Sequence, residues 1–268
     1  MIEPLGLLHE EHGLPDFDLP QELRDTYGGT LGFRGPTLFV NFVQSVDGIV
    51  SIPSTPRSNR VIGDASEADR FVMGLLRACA DVVLLSSGTL RGSPKAIWTA
   101  ADAYPPAAPA FAKLRRRLGR PPEPEVAVVT ASGALDPEHR ALQSGALVLT
   151  TERGAAVLDD RVPNAVEIAV LPGEDEVDLT AAIAFLRARG LDAILSESGP
   201  TVFGSLLRAG LVDELFLTVS PLLAGRGESG VHLGLVEGGG LLPDTRVAGR
   251  LLGVRRHGAH LFLRYRFP

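Results

Sequence analysis

Leu195-Ser196-Glu197-Ser198-Gly199-Pro200-Thr201-Val202-Phe203-Gly204-Ser205-Leu206-Leu207 is the stretch on which the reading of this chain turns. The residues from Asp192 to Leu195 lead into it and read as a buried strand. Gly199-Pro200 then punctuates the chain, and proline suits the first helical position, which needs no N–H donor. Val202, Phe203, Leu206 and Leu207 recur at helical spacing, and Gly210 suits the stop. The unit is therefore strand, glycine turn, helix. The N–H groups of Thr201, Val202 and Phe203 are expected to be free and to point back toward the strand end. The helix dipole gives them about half a positive charge, which suits a phosphate or pyrophosphate. Gly199 lets an anion approach the backbone, and Ser198, Thr201 and Ser205 add hydroxyl donors. An ordinary strand-to-helix turn fits the same residues, because short glycine motifs are weakly specific. Glu197 adds a carboxylate at the strand end, placed to hold a ligand's N–H groups or to cap the helix.

Working outward, residues 37–44 (TLFVNFVQ) read as the first strand, closed by the turn Ser45-Val46-Asp47-Gly48. Residues 49–60 (IVSIPSTPRSNR) form a Ser-, Pro- and Thr-rich loop of the kind that covers sites. Asp64-Ala65-Ser66-Glu67 has capping-box spacing, with Asp64 as N-cap of a helix to about Cys79. That helix buries Phe71, Val72, Leu75, Leu76 and Cys79, and puts Arg77 where the dipole favours a cation. Residues 82–86 are a second buried strand ending in the polar turn Ser87-Gly88-Thr89. Residues 91–124 are the least regular part, with a short basic helix over 111–118. Its Lys113 and Arg115 to Arg117 read as a solvated face rather than a nucleic-acid patch.

Residues 126–129, 146–150 and 166–171 read as three further strands. Helices are expected over 152–159 and, capped by Asp178, over 179–189. Residues 215–220 make another strand. Residues 251–267 make a closing pair around His257-Gly258, in which Leu263, Tyr265 and Phe267 alternate with Arg264 and Arg266 as in a half-buried strand. Strands alternating with helices predict an α/β fold, a mixed and mostly parallel sheet with helices on both faces. Residues 1–35 read as an irregular arm that drapes over the domain or reaches a partner, and residues 36–268 as one domain. The polar turns after Gln44, Ser86, Val129 and Leu195 all follow strand C-termini. In such sheets ligands gather on that edge.

Composition bounds the function classes. The 268 residues are 45% hydrophobic and 22% charged, which is ordinary for a globular protein. A formal net charge of −6 argues against a nucleic-acid surface. A single cysteine, Cys79, leaves no intrachain disulfide and no cysteine zinc cluster. His9-Glu10-Glu11-His12 spaces its histidines three apart, where the zinc motif needs four. No signal peptide or membrane-spanning run is visible, so a cytoplasmic protein without metal is the expectation.

Taken in order, Ser45-Val46-Asp47-Gly48, Leu76-Arg77-Ala78, Ala80-Asp81-Val82-Val83, Gly88-Thr89, Glu197-Ser198-Gly199-Pro200-Thr201, Gly210-Leu211-Val212-Asp213-Glu214 and Ser220-Pro221-Leu222-Leu223-Ala224-Gly225 form a pattern. The set resembles the reductase domain of the bifunctional riboflavin-biosynthesis deaminase/reductase, over roughly residues 36–268. The resemblance implies a dihydrofolate-reductase-like fold with a C-terminal antiparallel hairpin, and NADPH-dependent reduction of an aminouracil ribosylamine phosphate to its ribitylamine. It implies cofactor contacts at Val61, Gly88, Thr89, Thr130, Ser132 and the turn Ser198, Gly199, Pro200, Thr201, Val202, Phe203, Gly204 and Ser205. It implies substrate contacts at Asp47, Asn59 (or its neighbour Ser58), Arg77 and Glu197, with Asp47 as the acid, and commonly a homodimer.

The chain departs from that family in three places. The deaminase's His-x-Glu and Pro-Cys-x-x-Cys patterns do not occur. Asn41 stands where the family usually has lysine. Thr99 stands near the place of a phosphate-binding arginine, with Lys95, Arg91 or a basic residue from the next helix as substitutes. A dihydrofolate or pterin reductase on the same scaffold, or a protein that binds NADPH without turnover, therefore stays open.

Overall fold

The computed structural model describes residues 1–158, 161–226 and 231–268. The chain opens with β1 (Gly6–Glu10) and α1 (Gln21–Tyr27). Next come β2 (Thr37–Gln44), β3 (Ile49–Ser51), α2 (Ser58–Ile62) and α3 (Glu67–Ala78). β4 (Val82–Ser86) runs directly into α4 (Ser87–Gly92), then α5 (Ala100–Ala103), a 3-10 turn and α6 (Ala108–Arg117). β5 (Glu125–Thr130), α7 (Arg140–Gln143), β6 (Leu147–Thr150), α8 (Glu152–Leu158), β7 (Glu167–Val170) and α9 (Leu179–Ala188) follow. β8 (Ala193–Ser196), α10 (Pro200–Arg208), β9 (Glu214–Val219), β10 (Leu233–Gly234), β11 (Arg250–His257) and β12 (His260–Arg266) complete the order.

One ten-stranded sheet runs β1-β11-β12-β9-β2-β8-β4-β5-β6-β7. From β9 to β7 every pairing is parallel. From β9 back to β1 every pairing is antiparallel. The mixed α/β sheet expected from the alternation is thus present. Its central strands are buried on both faces, so alternate residues feed two cores. Phe39, Val83 and Leu85 pack with α3 and α6 on one side. Leu38, Val40, Val82 and Leu84 pack with α9 and α10 on the other. β10 pairs only with β3, forming a small ribbon beside the main sheet.

Several local expectations are corrected. Ser66, not Asp64, caps α3: its hydroxyl accepts from the Asp69 N–H at 3.2 Å, while Asp64 has left-handed φ. Residues 87–89 open a short helix instead of a turn, because the Ser86 hydroxyl accepts from the Thr89 N–H. The basic helix starts at Ala108, and its Arg115 is buried rather than solvated. Arg115 donates to the carbonyls of Arg77, Ala78 and Ala80, so it, and not Arg77, satisfies the end of α3.

Arg264 is also buried. It donates to Glu214 at 2.7 Å and to the Gly32 carbonyl, between the rings of Phe33 and Phe216. The first 35 residues are not irregular throughout, since β1 extends the sheet edge and α1 packs Leu23 and Tyr27 into the core. Asp159, the last residue of the helix expected over 152–159, lies outside the described residues. No helix among the described residues is long and apolar enough to cross a membrane.

Candidate functional site

The parallel register sets the C-terminal end of β8 beside the end of β4 and the middle of β2, which runs four residues further to Gln44. A cleft of about 790 Å³ opens there, within the range of small-molecule sites. It is lined by Asp69, Met73 and Arg77 of α3, by Gly88, Thr89 and Arg91 of α4, and by residues 197–202. The whole 50–59 segment lines it too, Asn59 included. The Arg57 N–H donates to the Gly92 carbonyl at 3.2 Å and ties that segment to α4.

Arg77 and Glu197, which are 120 residues apart, meet in the cleft as a two-pronged ion pair. Arg77 Nε donates to Glu197 Oε1 at 2.8 Å and Nη2 to Oε2 at 2.7 Å. Their side chains are 5% and 10% exposed. Nη1 also reaches the Thr99 carbonyl at 3.2 Å. Both groups are therefore fixed in direction, and each carboxylate oxygen keeps acceptor capacity toward the cleft. Glu197 does not cap α10, whose N-cap residue is Gly199 with no side-chain partner.

The start of α10 is open to a ligand. A Cβ built on Gly199 would meet only Ser86 Oγ, at 3.9 Å. The N–H groups of Thr201 and Val202 have no partner among the described residues. The Phe203 N–H, expected to be free, instead donates to the Gly199 carbonyl at 3.1 Å. The Ser198 hydroxyl is committed to the Leu84 carbonyl at 3.0 Å, so it bridges β8 to β4 rather than waiting for an anion. These residues fit a diphosphate through backbone donors.

Seven of the expected site residues lie outside the cleft lining. Phe203 is core, its ring centroid 5.2 Å from that of Phe42. Gly204 is where the chain returns: a Cβ there would lie 2.2 Å from the Glu237 carbonyl oxygen. Ser205 accepts from Arg208 on its own helix. Val61 is 53% exposed and faces a separate, shallow depression beside Arg60 and Leu222. Thr130 is buried with its hydroxyl unpartnered, and Ser132 is exposed beyond it. Thr130 ends β5 and Ser132 follows it, on the same sheet edge as the end of β4.

Asp47 is the seventh. Its carboxylate accepts from the Ser45 hydroxyl at 2.6 Å and from the N–H groups of Ala224 and Gly225. The Ser45 hydroxyl and then the Ala224 amide hold its pKa down to about 2. The carboxylate is thus committed to local partners outside the cleft lining, away from Arg77 and Glu197. Its work is to tie the turn after β2 to the turn after β9.

Sequence reading named Arg77, Glu197 and, as a substitute cation, Arg91, but missed other charged residues that line the cleft. Arg57, Arg70 and Arg91 supply cations there, while Lys95 does not. Thr99 caps α5, accepting from the Asp102 N–H at 3.0 Å. Asp69 is the one cleft carboxyl besides Glu197 and Asp102. Its signal was the Asp69, Met73, Arg77 stripe at four-residue spacing, which puts all three on one side of α3.

A pyrimidine reductase-like protein from Corynebacterium diphtheriae has a similar fold. Its TM-score is 0.64 and its identity 21%, covering 94% of this chain and 96% of that one. The 2,5-diamino-6-ribosylamino-4(3H)-pyrimidinone 5′-phosphate reductase of Archaeoglobus fulgidus is 28% identical over 197 residues, 72% of this chain and 84% of that protein. The riboflavin biosynthesis protein RibD of Escherichia coli K12 is 30% identical over 162 residues, 59% of this chain and 41% of that protein. The family model described as the RibD C-terminal domain matches residues 36–259, most of the sequence. On that match the chain belongs to the RibD C-terminal domain family.

Proposed function

We propose that the protein is an NADPH-dependent pyrimidine reductase of riboflavin biosynthesis, which reduces an aminopyrimidine ribosylamine phosphate to its ribitylamine. One observation carries this reading: a carboxylate aimed by a buried arginine, Glu197 by Arg77, in the cleft that also holds the open start of α10. The similarity to a reductase of a ribosylamine pyrimidinone phosphate and to a riboflavin biosynthesis protein supports it.

Glu197 accepts N–H bonds from the aminopyrimidine edge, and charge-assisted bonds of this kind are the stronger ones. Arg77 holds that carboxylate in place. The Thr201 and Val202 amides and Gly199 take the cofactor's diphosphate, flanked by Gly88 and Thr89. Thr130 and Ser132 extend the same edge toward the adenosine end. Arg57, Arg70 and Arg91 take the substrate phosphate, in place of the family's lysine and arginine. The 50–59 segment, with Asn59, covers the bound pair and excludes water. The nicotinamide, when bound, supplies a hydride. The first ribose carbon of the ring-opened imine receives it, and the adjoining nitrogen takes a proton. The pterin alternative needs no phosphate site, and the three cleft arginines weigh against it. A cytoplasmic homodimer goes with this reading. Leu7 and Leu8, exposed on the edge strand β1, offer surface for a second copy.

The test follows NADPH absorbance with the aminouracil and the diaminopyrimidinone ribosylamine phosphates, and then with dihydrofolate. Oxidation with at least one ribosylamine phosphate and none with dihydrofolate is expected. Oxidation with dihydrofolate alone, or tight NADPH binding without any turnover, would sink the reading.

A further inference from the structure

The reduction requires one proton for each hydride, and Asp47 lies outside the cleft lining. We propose that Asp69 is the proton donor: as hydride reaches the first ribose carbon, the Asp69 carboxyl passes its proton to the adjoining nitrogen. This rests on the reductase reading above. The step balances. The carbon–nitrogen double bond becomes single, the carbon gains the hydride from a dihydronicotinamide, the nitrogen gains the proton, and Asp69 is left as carboxylate. Solvent returns its proton when the cleft opens.

Three features of the site favour this carboxyl. Asp69 lines the same cleft as Arg77 and Glu197. The Arg77 guanidinium folds back along α3 to within 3.4 Å of Met73 Sδ. The ion pair therefore stands level with Met73, and Asp69 lies one turn beyond it, about 6 Å along the axis. That span matches a pyrimidine ring held at Glu197 with its ribosylamine nitrogen directed toward Asp69.

The surroundings also keep Asp69 without a cation of its own. Arg77 is engaged by Glu197, and the Nε of Arg70 by the Ala103 carbonyl at 2.9 Å. Thr218 of β9 and His260 of β12, the latter bonded to the Gly63 carbonyl, both favour the ionised form of Asp69. Burial, opposed by Thr218 and His260 and reinforced by the Glu197 charge, pushes its pKa up to about 6. A carboxyl in that range is poised to donate near neutral pH.

Asp69→Asn keeps the shape and removes the proton. Wild type and variant are compared for kcat against pH, for NADPH affinity by fluorescence quenching and for melting temperature. The wild-type rate is expected to fall as pH rises through the donor's pKa. Asp69→Asn should lose about 100-fold in kcat, lack that alkaline limb, and bind NADPH as before. Asp69→Glu should restore the limb. If wild type turns over and Asp69→Asn retains its rate and pH profile, Asp69 is not the donor. Parallel loss of melting temperature and NADPH affinity in both variants would assign Asp69 to the fold and overturn the proposal. If wild type turns over neither ribosylamine phosphate, the reductase reading fails and takes this step with it.

Discussion

At Glu197 both carboxylate oxygens already accept from Arg77, and the pair is almost wholly buried. Removing one member strands the other, which typically costs about 3–5 kcal/mol. Glu197→Ala therefore confounds binding with folding, whereas Glu197→Gln keeps the volume and a carbonyl acceptor. We expect Glu197→Gln to lower kcat/KM for the pyrimidine by about 100-fold, the worth of a charge-assisted bond. Its NADPH dissociation constant should stay within about a factor of two, since the proposed diphosphate site is at the start of α10. A comparable loss in both would move Glu197 from the substrate to the scaffold.

Asp69 makes the opposite kind of prediction. Its folded pKa is raised from 3.8 to about 6, chiefly by burial. The stability it contributes is therefore full below about pH 4 and lost as pH rises through about 6. Asn cannot ionise, so Asp69→Asn should gain up to about 3 kcal/mol over wild type at pH 8 and nearly nothing at pH 4. Urea titrations at the two pH values check this, and equal effects at both would contradict it. A group that costs stability when charged, and stays in the cleft, is the pattern expected of a functional residue.

Among the elements, α3 carries one half of the buried ion pair and the proposed donor, supplying Asp69, Met73 and Arg77 from one side. Its start depends on Ser66. Ser66→Ala should cost about 1 kcal/mol, while Asp64→Ala should cost little, because Asp64 caps nothing. Thermal melts of the two variants decide it, and the reverse ranking would restore the Asp64 capping box. The sequence contains both boxes, Asp64-Ala65-Ser66-Glu67 and Ser66-Glu67-Ala68-Asp69, and spacing alone does not choose. In the structure Asp64 and Ala65 both have left-handed φ, and the Ser66 hydroxyl takes the cap. Elsewhere the periodicities were enough: the stretch 195–207 folds as strand, glycine turn and helix, and the strand over 37–44 lies where its apolar run puts it.

Across the whole molecule, the first 35 residues are built into the sheet and the core. β1 pairs with β11, and Leu5, Leu19, Leu23, Tyr27 and Leu31 are buried. Arg255 binds Glu10 and the Tyr27 carbonyl, with its guanidinium 4.0 Å from the Tyr27 ring centroid. Deleting residues 1–35 should therefore lower the melting temperature steeply or leave an aggregating chain, since it bares the β11 edge and an apolar face. A truncated protein that melts with the full chain would show that residues 36–268 stand alone as a domain.

Two of the four polar turns, those after Ser86 and Leu195, line the cleft as expected, and the main strands and helices and the glycine turn at Gly199 were legible in the sequence. These are local properties: hydrophobic period, proline and glycine punctuation, and the hand of parallel crossovers. Only the tertiary structure decided which charges meet. Arg77 finds Glu197 across 120 residues. Arg115 and Arg264 turn inward instead of outward, and Asp47 closes a turn while Asp69 faces the cleft. A charged side chain is stable wherever its partners are, and those partners come from distant segments that no spacing along the chain encodes.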